Sequence, residues 1–184
     1  MGLHFDTLTA WDEDAWRGAA PIFDEAFAPQ GRKTHKMVRK IVDTSAGLLH
    51  LASADGVPVA MAVTGFLPEL GALLIDYVAV REAHRSRGVG RRMIGYLEEE
   101  ALRRGLRGLV IEIEAEANAA NEGRERFWTS LGFVRTDYVH KYRWVPETYR
   151  ALYKELTRDA GLPRDGETLF DAITRFHGKI WRDA

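Results

Sequence analysis

Apolar residues recur in two rhythms along this chain, every second position in some stretches and every third or fourth in others. Residues 2–8 alternate loosely and predict a first strand. Asp12 stands where it can cap a helix that carries Trp16, Ala20, Phe23 and Phe27 on one face. Pro29-Gln30-Gly31 ends that helix, and 32–44 predict a second, short one with Met37, Val38, Ile41 and Val42 inside. The runs 48–53 and 57–66 predict two strands joined by an Asp55-Gly56 hairpin. A third run, 72–80, opens on the unbroken Ala72-Leu73-Leu74-Ile75, as in a strand covered on both faces.

Helical spacing returns at Val89, Met93, Ile94, Leu97, Ala101 and Leu102, and Gly105 ends it. The next stretch alternates clearly. Leu109, Ile111, Ile113 and Ala115 share one face of a strand, while Val110, Glu112, Glu114 and Glu116 share the other. Asn121 is the expected cap of a helix running to about Ser130, which Gly132 stops. Residues 133–134 and 138–145 predict short strands. From Pro146 onward two helical stripes are expected: Tyr149, Leu152, Tyr153 and Leu156, then Leu169, Phe170, Ile173, Phe176, Ile180 and Trp181. The pattern predicts an α/β domain over 1–145 and a helical extension over 146–184 packed on it.

Composition narrows the class. The 184 residues carry a net charge of −1, which argues against a general nucleic-acid binder. No stretch has the length of apolar residues that a membrane span needs, and the N-terminus lacks the charge and apolar run of a signal peptide. With no cysteine, disulfides, thiolate metal sites and cysteine nucleophiles are excluded. The histidines show no paired ligand spacing, so no metal is expected. A cytoplasmic protein is expected.

The candidate chemistry lies at Arg85-Ser86-Arg87-Gly88-Val89-Gly90. A strand runs into this turn and a helix starts from it. Glycines let the backbone approach a ligand, and free N–H groups at a helix start favour an anion. Arg85, Arg87, Arg91 and Arg92 surround the turn and suit a polyanion. Further on stands Asn121, followed by Phe127-Trp128 and Leu131-Gly132-Phe133. These two motifs, in this order and at this separation, resemble the GNAT superfamily of acyl-CoA-dependent N-acyltransferases over roughly residues 2–145.

The resemblance implies a mixed, mostly antiparallel sheet flanked by helices, with acetyl-CoA as co-substrate. It implies that the amides of Arg85, Ser86, Arg87, Gly88, Val89, Gly90 and Arg91 hold the pyrophosphate of coenzyme A. It implies that Val78, Ala79 and Val80 pair with the pantetheine arm, and that the helix bearing Asn121, Phe127 and Trp128 flanks its thiol end. The implied reaction is transfer of an acetyl group to a small-molecule or peptide amine by direct attack. Glu112 and Glu114 are the expected bases by strand position, and Asp76 is a further candidate. The backbone N–H of Val80 or its neighbour is the expected oxyanion donor.

One departure stands out. Many relatives carry a tyrosine directly after the motif phenylalanine as general acid, and this chain has Trp128, whose indole N–H cannot supply a proton at neutral pH. Tyr138 or Tyr142 can substitute, or the thiolate can leave unaided, its pKa being about 8.5. A non-catalytic coenzyme A-binding or acyl-CoA-sensing module is therefore the alternative reading. The acceptor is expected near Trp11, Phe23, Asp24, Glu25, Phe27 and His35. No nucleic-acid or membrane partner is expected. The tail is read as an extension of the core, with a cover over the acceptor cleft or a homodimer contact as its other open roles.

Overall fold

A computed structural model describes residues 2–182. The chain forms two compact units, each assembled from several stretches. Unit one comprises residues up to Gly65, then Ile75–Leu97, and the chain from Gly178 onward; unit two comprises Phe66–Leu74 and Glu98–His177.

In unit one, strand β1 (His4–Leu8) pairs antiparallel with β2 (Gly47–Ala54), and β2 pairs antiparallel with β3 (Val57–Leu67). Strand β4 (Ala72–Val80) follows β3 in the sheet order. The Asp55-Gly56 hairpin closes as expected, with φ of +50° and +79° at its two central residues. Positive φ at both positions is the turn that matches strand twist, and Asn, Asp and Gly are the residues that tolerate it. Helix α1 (Glu13–Ala26) starts where Asp12 accepts a hydrogen bond from the Ala15 N–H at 2.8 Å. Helix α2 (His35–Asp43) is capped likewise by Thr34. Both helices bury their apolar stripes, including Trp16, Phe23, Met37 and Ile41. Helix α3 (Val89–Arg103) begins in this unit.

Unit two is built on β5 (Gly108–Glu114) and β8 (Thr148–Glu155), paired antiparallel from Gly108 opposite Glu155 to Glu114 opposite Tyr149. The short strands β6 (Val134–Arg135) and β7 (His140–Lys141) pair with the other edge of β8. Helix α4 (Ala119–Ser130) and most of α5 (Gly166–Trp181) complete the unit. Leu169, Phe170, Ile173 and Phe176 of α5 are buried. The chain is thus an α/β protein with a mostly antiparallel sheet flanked by helices.

Two expectations fail. Residues 148–155 form a strand rather than a helix. With β5 on one edge and β6 and β7 on the other, β8 is an interior strand, and it buries Ala151, Leu152 and Tyr153 in succession. That unbroken run hides the two-residue rhythm. Only residues 166–181 of the expected extension are helical. The cap of α4 is Asn118, whose side chain accepts from the Asn121 N–H at 2.9 Å. Asn121 lies inside the helix, donating to the Glu116 carbonyl at 3.0 Å.

Gly47 tests the tightness of unit one. A Cβ there would lie 1.8 Å from the Thr64 carbonyl oxygen, a backbone atom that cannot rotate away. Gly47→Ala is expected to destabilise the protein by about 3 kcal/mol or more, measured by denaturant unfolding. A loss below about 1 kcal/mol would show that β2 and β3 are less tightly paired there.

Candidate active site

In unit one β4 ends at Val80, and the Arg81 N–H donates to the Val59 carbonyl at 2.9 Å. A single 3-10 turn, Glu82–His84, comes next, its first N–H held by Glu25 Oε1 at 2.7 Å. The chain then passes through left-handed conformations at Ser86 (φ +58°) and Gly88 (φ +76°) and enters α3 at Val89. A left-handed serine is strained by roughly 1–2 kcal/mol. The bend keeps this corner from closing its own hydrogen bonds. None of the N–H groups from Ser86 to Gly90 donates in the hydrogen bonds of the described residues. They sit at the positive end of the α3 dipole, and the position of a Gly88 Cβ is open space. The arrangement suits an anion held by backbone.

The Arg85 side chain folds back instead of reaching outward. Its Nε donates to the Val80 carbonyl at 3.0 Å, and its guanidinium lies 3.6 Å from Glu25. Of the residues expected to pair with the pantetheine arm, Ala79 is buried, and Val78 and Val80 are partly exposed. Asp76 forms an ion pair with Lys33 at 2.9 Å, both side chains only 4% exposed. The residues expected near the acceptor have structural partners. Phe23 packs against Trp16, Phe27 and Tyr77. Asp24 binds Arg32 at 2.7 Å and His35 at 3.0 Å. Burial raises the Asp24 carboxyl, but His35 and Arg32 together bring it below the usual range.

Unit two contains a second polar centre. The Glu112 carboxylate, 18% exposed, receives two donors. Tyr142 donates its hydroxyl to Oε2 at 2.7 Å, and His177 approaches Oε1 through Nε2 at 3.0 Å. A carboxylate offers only lone pairs, so the Nε2 of His177 carries the proton. Aromatic rings close around the pair. His140 lies 4.5 Å from Tyr142 and stacks on Phe170 at 4.4 Å, and Tyr149 lies 5.5 Å from Tyr142. Burial holds the His140 imidazole below its usual range against the opposing pull of Glu112 and Asp171. Burial, then the charges of Glu112, Glu147, Glu114 and Glu116, push the Tyr149 phenol up to about 12.

The three glutamates of the acidic strand face therefore differ. Glu114 is more exposed and meets Arg124 at 3.4 Å. Glu116 accepts from both the backbone N–H and the hydroxyl of Thr148, which lower its carboxyl. Glu112 alone of the three joins a histidine and a tyrosine. Trp128 is buried, 5.0 Å from the Phe133 ring, whereas Phe127 is partly exposed. The sequence marks Tyr142 only as a stand-in acid, and His177 carries no signal in it. It lies on the apolar stripe of α5, 65 residues from Glu112.

A mostly antiparallel sheet flanked by helices, with a strand that turns through glycine into a helix start of free amides, is the architecture that the motif resemblance implies. The sequence matches the model of the acetyltransferase (GNAT) family over residues 6–133, and the chain belongs to that family. Among solved structures, an acetyltransferase of this family from Bacteroides thetaiotaomicron is 18% identical with a TM-score of 0.74, covering 97% of this chain and 98% of that one. One from Desulfovibrio desulfuricans is 16% identical, with a TM-score of 0.69, 85% of this chain and 100% of that one. An acetyltransferase from Bacillus subtilis in complex with CoA is 14% identical, with a TM-score of 0.60, 85% of this chain and 100% of that one. No curated protein gives a significant match. Tyr142, Tyr149 and His177 all lie beyond the family match.

The Tyr149 phenol should stay protonated at pH 11, where a phenol of ordinary pKa near 10.0 is mostly ionised. Tyrosinate absorbance at pH 11 should therefore be equal in wild type and Tyr149→Phe. A loss of one tyrosine's signal in the variant would show that the phenol is not shielded. The neutral phenol's contribution to stability is present below pH 10 and is lost as pH rises towards 12.

Proposed function

We propose that this chain transfers an acetyl group from acetyl-CoA to a primary amine by direct attack. The observation that carries this reading is the row of free amides from Ser86 to Gly90 at the start of α3. Such a row complements a pyrophosphate, and Arg87 and Gly88 beside it are exposed. The CoA complex of the Bacillus subtilis relative supports the choice of donor. Arg85, Arg87 and Arg91 add positive charge, and Val78–Val80 offer an extended backbone to the pantetheine arm. The motif resemblance assigns Asn121, Phe127 and Trp128 to the cofactor as well.

The chain's own part in the chemistry is proton handling. The amine nitrogen must be neutral to attack the thioester carbonyl, and an alkylamine has a pKa of about 10. Glu112 is the acceptor of that proton, with the Tyr142 hydroxyl able to pass one proton to Oε2 while taking up another. Glu114 is the second candidate. As the tetrahedral intermediate collapses, the C–S bond breaks and the thiolate leaves with the bonding pair. The backbone N–H of Val80 or its neighbour is the oxyanion donor in this reading; on the C-terminal side, the Arg81 N–H is already given to Val59.

Calorimetry with coenzyme A tests the donor. Micromolar binding is expected, and Gly88→Asn should weaken it at least about tenfold. Asparagine tolerates the left-handed conformation, so the thermal midpoint should move by only a few degrees. No binding at millimolar coenzyme A would overturn the reading. Thiol release from acetyl-CoA across an amine panel then separates an enzyme from a sensor: the enzyme releases thiol faster with at least one amine, and a sensor with none.

A further inference from the structure

We propose that His177, on the C-terminal helix α5, is the positioning residue for Glu112 and that the two side chains work as one proton-accepting unit. This rests on the transfer reading above and extends it to a residue outside the family match.

The argument starts from burial. A partly buried carboxylate is stable only if donors replace the water it has lost. Glu112 has two, the Tyr142 hydroxyl and the His177 Nε2. Tyr142 and His177 are themselves almost fully buried, at 7% and 8% exposure. Neither side chain is an incidental surface contact. The two donors hold different oxygens. Tyr142 donates to Oε2 at 2.7 Å and His177 approaches Oε1 at 3.0 Å. Between them they fix the rotation of the carboxylate, and His177 is the partner that α5 brings to it.

The surrounding charges favour this arrangement. Glu114 shares β5 with Glu112 and Glu116 lies two residues beyond it, and the field of all three, with Glu147, reaches Tyr149 on β8. Asp171, on the same helix as His177, acts with Glu112 on His140. The local field is negative, so a partly buried carboxylate there needs donor partners. The position of His177 on the buried stripe of α5 supplies one. Uptake of the amine proton gives a neutral Glu112 carboxylic acid. The departing thiolate or solvent takes that proton back, so no other reactant is required.

The test is the pH profile of kcat/KM for the amine with three variants. His177→Gln keeps an N–H donor for Oε1 but removes the imidazole. The acid limb should move by about one pH unit or more. Coenzyme A affinity should be unchanged, and the variant should remain folded. Glu112→Gln should lower kcat/KM by about 100-fold or more. Adding His177→Gln to Glu112→Gln should cost little further, because residues that act as a unit are not additive. An acid limb that stays in place in a folded His177→Gln, or a double variant that loses the product of the single losses, overturns the role of His177. If no amine stimulates thiol release by the wild type, the transfer reading itself fails, and this role fails with it.

Discussion

The corner between β4 and α3 is the constraint on which the proposed cofactor site depends. Strand β4 must end, the chain must reverse, and a helix must begin, all between Val80 and Val89. Left-handed backbone at Ser86 and Gly88 is how the chain meets that demand. The same geometry leaves the amides between Ser86 and Gly90 without an acceptor among the described residues. Unpaired N–H groups are costly if buried and useful if exposed to an anion. Strain and binding capacity thus have one origin. The neighbourhood is braced: Glu25 holds the Glu82 N–H, Arg85 holds the Val80 carbonyl, and Arg81 is tied to β3.

A different physical rule governs unit two. Here the centre is a carboxylate withdrawn from water and compensated by two side-chain donors from distant parts of the sequence. Strand pairing puts Glu112 opposite Ala151, a small residue. Tyr142 comes from just beyond β7 and His177 from α5. A hydrogen-bonded group of this kind is worth more than its separate bonds, and each member is expensive to remove alone. The aromatic rings of His140, Tyr142, Tyr149 and Phe170 lower the local polarity, and the raised Tyr149 phenol registers it.

How much of this was readable in the sequence follows from the range of the interactions. Local rules were legible. The Asp12 cap, the Asp55-Gly56 hairpin and the glycine stops at Gly105 and Gly132 depend on nearby residues alone, and all occur. The β4–α3 corner was legible for the same reason. Strand β8 was not, because Tyr149, Leu152, Tyr153 and Leu156 fit helical spacing and an interior strand equally well, and pairing with β5 decided between them. Asn121 was read as a cap because asparagine favours that position, yet Asn118 stands three residues earlier with the same chemistry. The acidic face of β5 was visible as three equivalent glutamates. Their partners make them different, and the partner of Glu112 on α5 lies 65 residues away, on a stripe that reads as core.

The most direct measurement of the account is amide hydrogen exchange at Ser86 to Gly90 with and without coenzyme A. These amides have no acceptor among the described residues, so they should exchange quickly in the free chain. Bound pyrophosphate should slow them by about tenfold or more, while the amides of the Asp55-Gly56 hairpin stay unchanged. Equal exchange in the presence of saturating coenzyme A would contradict the assignment of this corner as the cofactor site.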